Sequence, residues 1–279
     1  MRRPDGWLPS AYGGYRTRLT VLLHTAFDIK QDTMEHAILI NDLTYSYSSK
    51  AGCVNALKGI CLEVFKGEVF GFIGPNGAGK TTTIKHLLGI IPSASGNIKV
   101  LGASPSEINS RRSLGYMPET SYYYGFLTPL ELLIMYGNIC RVDRKALKKR
   151  AVSLLDMVGL SAQAGKRLSY FSKGMMQKVS FAQALINDPE LLILDEPTGG
   201  LDPVARKNMR EVISRLKSEG KTVFFSSHEL SEVELVADRI GVIDRGSIAA
   251  SGPVKELMGG KNSDQTLESY FLQLIGENK

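Results

Sequence analysis

Residues 74–81 read Gly-Pro-Asn-Gly-Ala-Gly-Lys-Thr and follow directly on an apolar run at 69–73. That order, apolar strand, glycine-rich loop, then the helix-like stretch 81–88, is the layout of a phosphate-binding loop. Gly74, Gly77 and Gly79 let the backbone curl so that its N–H groups converge, and a helix starting near Gly79 aims its positive end at the same point. In that arrangement Pro75, Asn76 and Ala78 complete the loop, Lys80 reaches the β- and γ-phosphates, the Thr81 hydroxyl ligates Mg²⁺ and Thr82 follows it into the site. The chain is therefore expected to bind a nucleoside triphosphate.

With 279 residues and 43% hydrophobic side chains, the chain can bury one large α/β core or two modest ones. Apolar runs such as 191–194 and 132–136 are core-sized, far below the about 18 to 20 residues of a membrane helix. Cys53, Cys61 and Cys140 are widely spaced and lack Cys-x-x-Cys pairing, which argues against a zinc site or disulfide framework and fits a reducing cytosol. The formal charge of +6 is dispersed, with a single short basic cluster at 148–150, so nucleic acid is not the expected partner. Residues 1–33 show no amphipathic period, and the apolar stretch 21–27 is broken by His24 without a cleavage site after it. They are expected to be a weakly ordered leader, with Met34 as the biological start. An N-terminal peptide from upstream of Met34 would overturn that reading.

The pattern of the remainder predicts an α/β fold: a P-loop core with a mostly parallel sheet, an N-terminal antiparallel β-subdomain and an inserted α-helical subdomain. Residues 38–43 and 61–65 are short β-like runs around a polar turn at 48–52, and 97–101 and 113–117 are further strands. Between about 120 and 172 the spacing turns helical, with Ala151, Leu154, Leu155 and Val158 on one face. Another helix is expected at 172–186. The uninterrupted apolar runs 191–194, 223–226 and 240–243 suit parallel strands buried on both faces. Leu267, Tyr270, Phe271 and Leu274 give a short amphipathic helix over about 266–275.

The run 191–194 ends in Asp195-Glu196. A strand delivering two carboxylates can orient Mg²⁺ through Asp195 and polarise the attacking water through Glu196. At this point residues 37–279 resemble the nucleotide-binding subunits of ABC transporters, with the family's landmarks in the family's order. The signature segment is similar to Phe171-Ser172-Lys173-Gly174-Met175, the switch histidine to His228, the dimer-contact loop to Gly200-Leu201-Asp202 and the adenine-stacking aromatic to Tyr47. Glu119, after Tyr-Met-Pro, stands where the family has its Q-loop glutamine, as a carboxylate that can approach Mg²⁺ or water. The signature variant and the tail at 266–272 resemble bacterial exporter ATPases.

The resemblance implies an ATPase that uses ATP and Mg²⁺ and closes as a homodimer, so that Ser172 and Gly174 of one chain face the γ-phosphate held by the other. It further implies export through a separate integral-membrane permease at the cytoplasmic face of the membrane. Taken residue by residue, His228 is also readable as a satisfied core histidine, and Tyr47 as sheet packing with Tyr45 as the rival aromatic. The groove by Glu119, with Tyr122, Tyr123, Tyr124 and Phe126, is the candidate to receive a permease helix, so that Tyr123→Ala uncouples transport from hydrolysis; partial burial of the tyrosines within the helical subdomain is the equal alternative. The competing readings are a soluble ABC ATPase clamping nucleic acid or ribosomes, favoured by the basic balance, and a P-loop kinase, which needs neither the signature nor His228.

Overall fold

The computed structural model describes residues 35–49, 52–92, 95–259 and 266–276. The expected leader and the start at Met34 lie outside the described residues. All named elements fall within the unit 36–279. Strands β1 (His36–Ser49), β2 (Gly52–Phe65) and β4 (Ser95–Val100) form an antiparallel sheet in the order β2-β1-β4. The second sheet contains β3 (Val69–Ile73), β5 (Leu114–Met117), β6 (Leu191–Asp195), β7 (Thr222–Ser227), β8 (Arg239–Asp244) and β9 (Ser247–Pro253). Its order is β5-β6-β7-β3-β8-β9, parallel except for the terminal β8–β9 hairpin.

The central strands carry no polar alternation because both their faces are covered. Along β6, Leu191 and Ile193 pack toward the antiparallel sheet while Leu192 and Leu194 pack toward the helices. Phe70, Phe72 and Phe224 join the first layer, and the Phe70 and Phe224 rings stack at 5.9 Å. Val69, Ile73, Val223 and Phe225 join the second. Each such side chain contributes about 1.5–3 kcal/mol on burial, so these strands are held from both sides.

The helical subdomain is built from α3 (Pro129–Ile139) and α4 (Arg144–Met157), which pack beside α5 (Lys173–Ala184). Thr128 starts α3 with a reciprocal capping box to Glu131 and a proline at the first turn. Ala151, Leu154, Leu155 and Val158 are buried as the period predicts. One cation ties this layer to the end of α5 with two bonds: Arg150 donates to the carbonyls of Leu185 and Ile186 at 2.6 and 2.7 Å. The approach of β5 to the end of α5 leaves no room for a side chain, because a Cβ on Gly115 would stand 2.1 Å from the Ala184 carbonyl oxygen. The remaining helices are α1 (Lys80–Leu87), α2 (Ile108–Arg112), α6 (Pro203–Ser218), α7 (Leu230–Val236), α8 (Val254–Leu257) and α9 (Leu267–Gly276). In α9 the predicted face holds: Leu267 is fully buried and Tyr270, Phe271 and Leu274 pack on the same core.

Candidate functional site

Three neighbouring parallel strands, β6, β7 and β3, end at the same edge of the sheet. Their register sets Asp195 beside Ser226, and Ser226 and Ser227 beside Phe72 and Ile73. The segments that follow these strands therefore open onto one crevice, where an open α/β sheet places its ligand. A cleft of about 620 Å³ occupies that crevice. It is lined by Tyr47, Pro75, Asn76, Gly77, Gly79, Lys80, Thr81, Thr82, Glu119, Asp195, Glu196 and His228. Segments distant in sequence, from the antiparallel sheet, the loop after β3 and the ends of β5, β6 and β7, thus meet as the sequence predicts.

The loop glycines act in two ways. Gly77 and Gly79 sit at φ 79° and 117°, the left-handed region that side chains disfavour. Gly74 serves by close approach: a Cβ there would stand 2.3 Å from the Ile243 carbonyl oxygen. Gly74 and Ala78, which is buried, shape the loop without lining the cleft. Lys80 is buried, donates to the Gly74 carbonyl at 2.6 Å and lies 3.7 Å from Glu196 Oε1.

The acidic side is just as constrained. Asp195 accepts from Ser226 Oγ at 2.6 Å, and the same hydroxyl accepts from the Glu196 N–H at 3.0 Å. Burial pushes the Asp195 carboxyl up from its usual value; the Ser226 bond opposes this, while Glu119 and Glu196 add to it and Lys80 offsets it. Glu196 itself has φ 51°, a left-handed geometry that costs a non-glycine residue about 1–2 kcal/mol. Gln177 compensates by donating to the Glu196 and Pro197 carbonyls at 3.1 and 3.4 Å. His228 is oriented by Glu196: its Nδ1 lies 2.8 Å from Glu196 Oε2, and its own backbone N–H donates to the same oxygen at 3.3 Å. His228 is half exposed and so is not a core histidine.

Tyr47 stands at the rim with its ring partly exposed, its hydroxyl 3.5 Å from Thr82 Oγ1. Tyr45 turns inward, edge-on to Tyr47 at 4.9 Å and to the buried His86 at 4.8 Å. The geometry therefore leaves Tyr47 as the aromatic that faces the cleft. Ser172, Gly174 and Asp202 do not line it. Ser172 and Asp202 cap helices α5 and α6, accepting from the N–H groups of Met175 at 3.3 Å and Ala205 at 2.8 Å.

The tyrosine run divides in a way its sequence does not reveal. Tyr123 is packed into the helical layer, edge-on to Tyr136 at 6.4 Å and with its hydroxyl on Gln183, and burial pushes its phenol up from its usual value. It is a packing residue, so the expectation that Tyr123→Ala would act on a partner contact alone is corrected. Tyr122, at 90% exposure, and the stacked pair Tyr124 and Phe126, at 65% and 66%, carry the open aromatic surface. The groove at Glu119 is lined by Pro118, Thr120, Ser121, Phe171, Met176 and Gln177 among others, without the tyrosines. Sequence reasoning also passed over Ser226, Gln177, Asn55, Lys58 and Arg245, the last three of which line the cleft. A polar Ser-Ser pair closing an apolar strand was the available signal for Ser226.

The ABC transporter family profile matches residues 57–199. An ABC transporter ATP-binding protein of Nostoc sp. strain PCC 7120 is 47% identical over 212 residues, which cover 75% of this chain and 63% of that protein. The chain thus spans less than two thirds of the length of that curated relative. The bacitracin transport ATP-binding protein of Bacillus licheniformis is 38% identical over 250 residues, covering 88% of this chain and 78% of that one. Among solved structures, an ATP-binding subunit of an ABC transporter superposes with a TM-score of 0.77 at 30% identity, covering 86% of this chain and 99% of its own. Fold, cleft and relatives agree, and the chain belongs to the ABC transporter family of ATP-binding proteins.

Proposed function

We propose that this chain is the ATP-hydrolysing subunit of a membrane exporter, acting as a pair of copies at the cytoplasmic face of a separate permease. The observation that carries the reading is the single cleft shared by Pro75, Asn76, Gly77, Gly79, Lys80, Asp195, Glu196, His228 and Tyr47. The loop amides and the start of α1 take the phosphates, Lys80 pairs with the β- and γ-groups, and the Tyr47 ring covers the purine. The donor set fits a hard divalent cation, because Thr81, Asp195 and Glu119 all offer oxygen. When bound, Mg²⁺ supplies neutralisation of the charge that develops on the phosphate oxygens. Glu196 accepts the proton of the attacking water while the Pγ–O bond to ADP breaks, and His228 holds the Glu196 carboxylate in position. ATP and water yield ADP and phosphate.

Ser172 and Gly174 lie off this cleft at the start of α5, which suits a role toward nucleotide held by a second copy. Among the described residues no helix is long and apolar enough to cross a membrane, and in this reading the membrane passage belongs to a separate permease chain. The bacitracin transport relative supports a transport role, and the Ser-Lys-Gly-Met signature favours export. The exposed Tyr122, Tyr124 and Phe126 and the adjacent Glu119 groove offer the permease its contact.

Affinity capture of tagged Glu196→Gln protein from detergent-solubilised native membranes with Mg-ATP tests the reading. One multi-helix membrane protein is expected, and it should be lost when Tyr124 and Phe126 are both changed to Ala. Recovery of ribosomes or nucleic acid without a membrane protein would contradict the exporter reading.

A further inference from the structure

Arg206, one turn into α6, bonds in two directions. Its Nε donates to the Leu201 carbonyl oxygen at 3.0 Å, and its Nη1 pairs with Glu229 Oε2. Leu201 ends the loop that leaves Glu196, and Glu229 directly follows His228. Since His228 Nδ1 bonds Glu196 Oε2, these contacts close a ring: Glu196, the chain 197–201, Arg206, Glu229, His228 and back to Glu196. Glu229 is further pinned by donating its N–H to Ser227 Oγ at 2.9 Å. The same loop rests on the start of α5, where Leu201 Cδ2 lies 3.5 Å from the position a Cβ on Gly174 would take.

We propose that Arg206 is a positioning residue for hydrolysis, locking loop 198–202 and His228 into one unit and so setting the His228–Glu196 pair. The inference rests on the hydrolytic reading above. It requires a guanidinium, because two donors on different nitrogens must reach a carbonyl and a carboxylate together; an ammonium on a flexible stem cannot hold both in a fixed fork. The pair is partly exposed, and such ion pairs add little to stability, which leaves geometry as its contribution. The fold provides its own control. Arg210 pairs with Glu232 one turn further along α6, and the ring does not pass through that pair.

The test compares kcat, KM for ATP and the nucleotide Kd of wild type, Arg206→Ala, Arg206→Lys, Glu229→Gln and Arg210→Ala, each with its Tm. A displaced base and histidine are expected to lower kcat about tenfold or more in both Arg206 variants and in Glu229→Gln, with KM and Kd held within about twofold. Arg210→Ala should match Arg206→Ala in Tm while keeping its kcat. Undiminished kcat in Arg206→Ala, full rescue by Arg206→Lys, or equal kcat loss in Arg206→Ala and Arg210→Ala would overturn the inference while leaving the wild-type ATPase reading intact. A wild-type protein that releases no phosphate from ATP would overturn that reading, and the inference with it.

Discussion

Ser226→Ala removes one hydroxyl and should unsettle both acids of the cleft. Ser226 is completely buried; its Oγ donates to Asp195 at 2.6 Å and accepts from the Glu196 N–H at 3.0 Å. A hydrogen bond to a charged group contributes about 1.5–3 kcal/mol, and a buried donor left without a partner costs about 1–3 kcal/mol. The two overlap in one site, so the expected loss is about 2–4 kcal/mol. With a urea dependence of about 3 kcal/mol per molar, the unfolding midpoint should fall by about 1 M. Turnover should fall as well, since the N–H bond helps to hold Glu196 at its unfavourable φ of 51°. Urea unfolding followed by tryptophan-independent circular dichroism, with phosphate release on the same samples, measures both. A midpoint within about 0.2 M of wild type would refute the reasoning, because no buried, doubly bonded hydroxyl can be deleted that cheaply.

Two further outcomes follow from the cleft and its surroundings. Tyr47→Ala should weaken Mg-ATP binding by the about 1–3 kcal/mol of a base–aromatic stack, while Tyr47→Phe keeps it; equal affinity for all three proteins in a fluorescent-nucleotide titration would return Tyr47 to sheet packing. His86 is buried with neither ring nitrogen hydrogen-bonded among the described residues, and burial pushes its pKa below the usual 6.5. The unfolded chain therefore binds the proton first as pH falls, so stability is lost below pH 6.5 and continues to fall down to the folded-state value. His86→Phe should flatten that part of the stability–pH curve, and an unchanged slope in urea titrations at several pH values would contradict the assignment.

What could be read in advance depended on whether the signal was local. Strands β3, β6, β7 and β8 showed as apolar runs because both their faces are buried, and Ser172 and Asp202 fall at helix starts, where their side-chain oxygens bond free N–H groups. β1 and β2 run to 14 residues each, beyond their apolar segments, because the hairpin ladder continues through polar, exposed positions around Ser46 and Asn55. The Ser226 bridge was hidden for a different reason. It depends on β7 lying between β6 and β3, an order in space that the order along the chain does not contain. Gln177 and the left-handed Glu196 share that cause: the strain and its compensation come from segments brought together only by folding. Tyr123 illustrates the limit of composition, since three identical neighbours on one segment can face different surroundings.

The central claim is that Glu196 is the base of an ATP-hydrolysing cleft whose binding functions are separate from it. Glu196→Gln keeps the shape and the backbone bonds to Gln177 and Ser226 but removes the proton acceptor. Equilibrium binding of Mg-ATP and steady-state phosphate release should be measured on this variant and wild type side by side. The account predicts nucleotide affinity within about threefold of wild type and turnover lower by at least about a hundredfold. Turnover equal to wild type, with binding intact, would contradict it.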